Sequence, residues 1–577
     1  MQIIKSFLRL LVFISPFAAT AQTTYLPQGA KEYQFIDRIE IKQGTNTNLN
    51  FSTVKPYSRK AIVRQVEILD SARLGYGDSL SSVDHYPQMK GLGLTKIDEY
   101  NLRSLLMNNS EWVTVQRADF ESKRSVFNTF YKTKPNLIEV NNNDFFLAVN
   151  PVLNIQAGKE NGNSSMTFVN SKGVTVRGMI AKKIGFSSTI TDNQERGPSF
   201  FAQRVEAFSA LPGVGFYKRF KTTGYDYFDA RGYFTFSAAK FIDFQLGYDK
   251  NFIGNGYRSL FLSDYGNSNL FVKINTRIWK LNYQNLFMEL MPVGKSPDGI
   301  SGDTLLDRKY AAMHHLSMNV TKWLNIGLFE GIIFGRKNHF DFQYLNPIIF
   351  LRHIEGTVGS PDNAIAGLDF KANVAHRIQL YGQLLLDEFQ LSQIKNNTGY
   401  WANKYGIQFG AKYIDAFGIN NLDLQVESNR VRPFTYSHND TVASYSHYNQ
   451  PLAHPLGANF QEFIGILKYQ PAPKWYINAR AIYYTQGLDS AGVNFGSNVM
   501  RNYTSRPRDY GFKIGSGDKA TCINAAVTVS YELRENLFVE GSMLLRNFKT
   551  VSVPAQINTT MASIGIRWNL FRRDYDY

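Results

Sequence analysis

The sequence predicts an all-β membrane protein: a closed antiparallel β-barrel of about 18 strands with a small N-terminal α-helical region. Three observations predict it. Apolar and polar residues alternate with a period of two along most of the chain. The connections between alternating segments are by turns very short and long. The last segment alternates like the others and needs a partner, because every unpaired backbone group in lipid costs several kcal/mol.

Residues 363–388 show the pattern best. Ala364, Ala366, Leu368, Phe370, Ala372 and Val374 share one face, and Ile365, Gly367, Asp369, Lys371 and Asn373 share the other. After a polar turn at His376 and Arg377, Ile378, Leu380, Gly382, Leu384 and Leu386 point one way, and Gln379, Tyr381, Gln383 and Asp387 the other. This reads as a hairpin with one greasy and one wet face.

In chain order, residues 1–21 read as a secretory signal peptide. Lys5 and Arg9 precede an apolar run from Leu10 to Ala19, and Ala19-Thr20-Ala21 forms a small-residue cleavage site. Apart from that segment no run of about 18 apolar residues exists, so helical spans are not expected. The mean hydropathy of −0.27 is compatible with a barrel, since only every second strand residue meets lipid. Residues 22–142 read as a helical periplasmic region. Ser58 is a candidate N-cap for a helix carrying Ile62, Val63, Val66 and Leu69, and Thr95 with Asp98 forms a candidate capping box ahead of Leu102, Leu105, Leu106 and Met107. A third short helix is expected over Glu32 to Ile41.

Residues 143–577 read as the barrel. Candidate strands cover 145–158, 167–180, 184–194, 230–239, 242–253, 269–280, 281–292, 310–321, 324–335, 363–374, 377–388, 404–417, 421–434, 459–471, 475–487, 520–533, 537–549 and 561–571. Short turns such as 181–183, 240–241, 322–323, 375–376 and 534–536 alternate with long loops at 195–229, 293–309, 336–362, 435–458 and 488–519. The short turns are expected on the periplasmic side and the long loops outside the cell.

The charged residues on the polar faces include Lys273, Arg277, Asp369, Lys371, Asp423, Glu427, Arg480, Glu540, Arg546 and Arg567. In lipid each would cost about 2–4 kcal/mol near the midplane, so they are expected to face the lumen. There they form either a cross-linked interior or a polar track. The formal charge of +16 falls by two units once Lys5 and Arg9 depart. It suits acidic polysaccharide or lipopolysaccharide phosphate, and without a recognisable motif it does not suggest nucleic acid. The lone Cys522 excludes an internal disulfide. His438, His447 and His454 share a loop at no metal-ligand spacing, and the adjacent His314 and His315 should point to opposite faces of a strand. No cofactor is expected. No Ser/His pair is singled out, so the chain reads as no enzyme.

The long loops are the better recognition candidates. Arg336, Asn338, Tyr344 and Asn346 lie in a stretch that mixes aromatic and hydrogen-bonding side chains; Tyr400-Trp401 and Tyr445-Ser-His-Tyr-Asn449 do likewise. Such groups hold sugars by stacking and planar polar contacts, or they pack on each other as a lid. With Arg352, the residues Arg336, Asn338, Tyr344, Asn346, Tyr400 and Trp401 are the candidate glycan-binding set.

Tyr344-Leu-Asn-Pro-Ile-Ile-Phe-Leu-Arg352, Gly359-Ser-Pro-Asp-Asn363 and Ala366-Gly-Leu-Asp369 resemble the capsule-assembly (Wzi-type) outer-membrane family. Gly224-Tyr-Asp-Tyr-Phe-Asp-Ala-Arg-Gly232, Asn255-Gly-Tyr-Arg-Ser-Leu-Phe-Leu262 and Arg572-Arg-Asp-Tyr-Asp-Tyr577 are similar to a branch that includes gliding-motility-associated outer-membrane proteins. The resemblance implies an eighteen-stranded barrel with its helical part on the periplasmic side, which helps attach capsular polysaccharide to the cell surface. The function expected is non-enzymatic binding or organisation of surface polysaccharide. The alternative is an outer-membrane component of a gliding-motility or protein-export assembly, with outer-membrane or periplasmic protein partners. A porin and a membrane lipase stand behind these two.

Overall fold

Side chains in this chain invert the usual rule of burial. On the strand Asn363–Val374 the apolar Leu368 and Val374 are 43% and 40% exposed, whereas Asp369, Lys371 and Asn373 are buried. The inversion is what a lipid-facing surface around a filled polar interior produces. The computed structural model describes residues 23–46, 49, 51–74, 93–114, 118–123, 125, 127, 129–292, 306–348, 350–359, 362–553 and 556–577. The expected signal peptide lies outside the described residues.

Eighteen antiparallel strands close into one barrel. They are β1 Phe145–Glu160, β2 Met166–Ile180, β3 Ile184–Arg196, β4 Gly224–Ala239, β5 Ile242–Asp249 and β6 Asn269–Ile278. Next come β7 Leu281–Leu290, β8 Lys309–Asn319, β9 Leu324–Phe334, β10 Asn363–Val374, β11 Ile378–Glu388 and β12 Lys404–Tyr413. The last six are β13 Leu422–Val431, β14 Phe460–Tyr469, β15 Trp475–Leu488, β16 Asp518–Arg534, β17 Leu537–Thr550 and β18 Ile557–Trp568. Closure pairs Met561 of β18 with Glu160 of β1 and runs to Trp568 opposite Leu153. Below that point a short strand, Ile138–Asn141, takes over as the partner of β1. Ala375 and His376 both adopt φ near +54° (53° and 54°), the primed-turn geometry that suits a tight hairpin. Among the described residues no helix is long and apolar enough to cross a membrane.

Two expected spans change. The segment expected at 242–253 breaks after Asp249: Phe252–Ile253 leaves the wall and pairs inside with Val54–Lys55. Its apolar residues serve an interior contact, which alternation alone does not separate from a lipid contact. The strand expected at 230–239 begins at Gly224, because Tyr225 and Tyr227 turn inward onto the helix that follows β3.

Helices α1 Glu32–Gln43, α2 Arg59–Leu74 and α3 Lys96–Asn108 sit at the short-turn end. The Ser58 hydroxyl accepts from Ala61 N at 3.2 Å, and Thr95 and Asp98 form the reciprocal capping box. Phe35, Ile39, Val63, Val66, Leu105 and Leu106 are buried in one core. Charged pairs fasten this core to the wall. Lys31 reaches Glu532 and Glu535 at 2.5 and 2.6 Å, Lys412 reaches Asp37 at 2.7 Å, and Lys371 reaches Glu40 at 2.8 Å. Arg38 binds Asp98 at 3.0 Å and Asp415 at 2.8 Å, and also binds Asp423. Burial alone would raise the carboxyls of Asp98, Asp415 and Asp37. The adjoining Arg38 and Lys42 (for Asp98 and Asp415) and Lys412 (for Asp37) outweigh it and hold all three below the usual range.

Candidate ligand-facing surface

The lumen is filled by polypeptide from three directions. Residues 250–262 descend from the long-loop end: Leu260, Phe261 and Leu262 are buried against Phe271, Leu286, Met313 and Phe329, and Gly254 N donates to Thr53 O at 2.8 Å. Residues 571–577 turn back up from the end of β18. Arg258 ties these two segments together, donating to the Asp576 carboxylate at 2.9 Å and to its carbonyl at 2.5 Å. Arg573 reaches Glu195 at 3.1 Å, and the Tyr575 hydroxyl donates to Glu195 at 2.7 Å. From the short-turn end, residues 51–55 push upward beneath them, Val54 and Lys55 pairing with Ile253 and Phe252.

The charges expected inside are largely there. Several find partners on the inserted segments or on helix α1 rather than on neighbouring wall strands: Arg480 on Asp574, Lys371 on Glu40, Asp423 on Arg38. Glu540 is a wall exception, taking Arg567 as well as Arg572, each at 2.8 Å. Between the tail and these strands remains a void of about 50 Å³ lined by Arg480, Glu540, Arg567 and Arg572, room for little more than water. Cys522 is fully buried in the same interior.

The long loops close over this plug. Segment 432–459 folds inward: the buried Tyr445 donates to Phe261 O at 2.6 Å, Lys309 donates to Ser444 O at 2.8 Å, and Lys404, paired with Asp387 and Glu388 at 3.2 and 2.9 Å, donates to Ser437 O at 3.2 Å. The three histidines of this loop share no partner. His438 accepts from Asp440 N, His447 bridges Met291 N and Ser268 O, and His454 meets Glu462 at 2.7 Å. Burial pushes His447 down to about 4 and lowers His438 and His454 as well.

The seven candidate residues fall into two groups. In the first, Arg336 forms a bidentate pair with Asp362 at 2.8 and 2.6 Å, and the buried Tyr344 donates to the same carboxylate at 2.6 Å while its ring packs on Phe334. Asn338 is exposed and accepts from Arg308 N at 2.6 Å, and Asn346 accepts from Ile348 N at 3.0 Å. Arg352 lies in α5, defined here as Leu351–Val358 after the helix α4 Ser199–Phe208; its side chain is 72% exposed and pairs with Glu355 at 3.0 Å. In the second group Trp401 is buried under the Arg506 guanidinium, 3.9 Å from its ring centre, and beside Tyr503 at 4.7 Å. Tyr400 packs on Tyr510 at 5.4 Å, and Tyr510 is 52% exposed. Segment 438–442 lies between the groups, with Val442 against Gly335 and Asn439 O accepting from Asn502 at 2.6 Å.

Tyr400, Tyr510 and Arg506, which also pairs with Asp509 at 2.6 Å, thus form an aromatic and cationic platform with Trp401 as its floor. The exposed Arg508 joins it through Phe512, 5.4 Å from that ring. Three of these side chains come from the stretch Arg501–Tyr510, which sequence reasoning passed over although three Arg and two Tyr among Arg501, Tyr503, Arg506, Arg508 and Tyr510 mark it.

A pH dependence follows. His447 titrates near 4 when folded and near 6.5 when released, so the released loop binds more protons between those values and the 432–459 fold weakens as pH falls from about 6.5 to 4. At the helical interface Asp98, Asp415 and Asp37 titrate below the usual carboxylate value near 4, so their contribution is complete above about pH 4 and is lost below it. Hydrogen exchange, corrected for its intrinsic pH dependence, should show residues 432–459 loosening first and residues 23–114 only under stronger acid. Simultaneous loosening would contradict this assignment.

No family model and no curated protein matches the chain. Among solved structures it is similar to Wzi of Escherichia coli, described as an outer-membrane protein involved in group 1 capsule assembly and as a carbohydrate-binding β-barrel. The match has a TM-score of 0.56 and 12% identity and covers 95% of this chain and 100% of that one. OprD of Pseudomonas aeruginosa aligns at a TM-score of 0.40 and 9% identity over 73% of this chain and 94% of its own. OccAB4 of Acinetobacter baumannii aligns at 0.39 and 9%, over 74% and 98%. With its strand count, closure and long-range agreement in trace, the chain has a Wzi-like outer-membrane β-barrel fold.

Proposed function

We propose that this chain is a non-enzymatic outer-membrane barrel that binds or organises surface polysaccharide. Its long loops face outside the cell and its helical region faces the periplasm. The observation that carries the reading is the pairing of a filled lumen with a folded cap that presents Tyr510 against Tyr400 and Arg506 over Trp401, with the exposed Arg508 close by over Phe512. Aromatic faces flanked by guanidinium groups suit stacking against an acidic sugar, and a filled lumen suits a binder better than a conduit. The likeness to a carbohydrate-binding barrel supports it.

The purified protein should retain acidic glycans on an array. Tyr510→Ala is expected to weaken retention roughly tenfold, the size of a typical aromatic contact residue, with the thermal midpoint unchanged. Trp401→Ala, which removes the floor of the platform, should abolish binding. Retention untouched by both changes would remove the platform from the reading. Deletion in cells, with surface glycan and movement assayed separately, distinguishes polysaccharide organisation from a role in gliding motility or export: loss of movement with surface glycan intact would favour the second.

A further inference from the structure

His314 and Glu330 sit on the outward side of β8 and β9. Their inward neighbours Met313 and Phe329 belong to the lumen core, and alternation sends His314 and Glu330 the other way. Both are nevertheless buried, because the loop after β9 folds down the outside of the barrel and covers them. Tyr344, Leu351 and Ile354 of that loop pack on the outward-facing Phe287, Tyr310, Ala312, Ile332 and Phe334. Tyr283, two residues into β7 from the short-turn end, donates to Pro347 O at 2.6 Å. The loop thus reaches down the wall into the band that the neighbouring strands present to lipid through Leu328 and Leu368, 45% and 43% exposed.

Polypeptide at that depth must satisfy its own backbone, and many of this loop's N–H groups are bonded. Asp341 accepts from Gln343 N through its side chain and from Tyr344 N through its carbonyl; Asn346 accepts from Ile348 N. Glu330, bonded to His314 at 2.9 Å, accepts from Phe350 N and Leu351 N at 2.6 and 2.9 Å. With these donors served by the loop and by Glu330 on the wall, the loop turns apolar side chains outward: Phe342, Leu345, Ile348 and Phe350 are 78, 43, 66 and 70% exposed. Arg352 and His353 stand exposed beside them.

We propose that residues 340–348 and 350–357 form a lipid-binding flap on the barrel exterior. Phe342, Leu345, Ile348 and Phe350 contact acyl chains, and Arg352 engages the phosphate of the adjoining headgroup. Two features select lipid as the occupant: the flap's exposed apolar side chains lie beside the wall residues that face lipid, and Arg352, exposed and paired with Glu355 at 3.0 Å, borders that apolar face, as in an interfacial amphipathic element. The proposal rests on the membrane-embedded reading above.

The test is nitroxide accessibility in the full chain, reconstituted in vesicles of phosphatidylcholine and phosphatidylglycerol. The buried Cys522 is first replaced (Cys522→Ala), and labels are then placed through Phe350→Cys, Ile348→Cys and the wall control Leu328→Cys. All three labels should collide readily with oxygen and poorly with a water-soluble nickel chelate. Arg352→Gln should lower the preference for phosphatidylglycerol in native mass spectra about fivefold. Nickel access at 348 and 350 with lipid values at 328 overturns the flap and leaves the barrel reading intact. Protection from both reagents at 348 and 350 also overturns it, in favour of a second protein copy or partner. Nickel access at 328 as well refutes the membrane reading itself, and no change on Arg352→Gln removes the headgroup contact.

Discussion

Replacing Arg38 with alanine is expected to release the helical region from the barrel while leaving the eighteen-stranded wall intact. Arg38 is almost fully buried, and its guanidinium is the shared partner of Asp98, on the helices, and of Asp415 and Asp423, on the barrel. Truncation leaves these carboxylates facing one another with Lys42 as the remaining nearby cation, at 2.9 Å from Asp98 and 3.1 Å from Asp415. Removing one member of a buried charge network costs about 3–5 kcal/mol, because the other members stay desolvated without compensation. That is comparable to what a small helical core contributes. Limited proteolysis in detergent should cleave residues 23–114 of the variant rapidly and leave a protected fragment beginning near β1. Equal protection of variant and wild type would show that apolar packing alone holds the helices in place.

The second large effect is expected at Arg258. This residue joins the descending loop to the 571–577 segment through Asp576, lies 3.5 Å from Glu462, and its backbone N–H donates to Glu427 at 3.1 Å. Arg258→Ala strands two acidic side chains in the interior and should again cost about 3–5 kcal/mol, here charged to the plug. In planar bilayers the wild type should show no steady conductance. The variant should show discrete openings as the plug is intermittently displaced, and its thermal midpoint should fall. A wild type that conducts steadily, or a variant as silent and as stable as the wild type, would refute this account of the interior.

The wall was readable from the sequence because lipid outside and water inside impose a two-residue rhythm that no other packing demands so consistently. Residues 363–374 matched the structure residue for residue. The interior was less readable. Phe252, Ile253, Leu260 and Phe261 are as apolar as a lipid-facing strand, yet they are buried inside the barrel among contacts with distant segments. The candidate loop residues show the same limit. Arg336 and Tyr344 stood out for their side-chain chemistry, but both converge on Asp362, a partner 26 and 18 residues away that local spacing cannot choose. Adjacent His314 and His315 were rightly sent to opposite faces, with His315 on Asp369 inside. What sheltered the outward one was a loop whose path the sequence does not specify.

The stopper also dictates an order of assembly. Arg573 and Tyr575, which follow the final strand, lock onto Glu195, on the third. That lock spans the β18–β1 seam, so it is completed when the seam closes. A barrel caught before this moment should be leaky, and loss of leakage would time the completion of folding in a living cell.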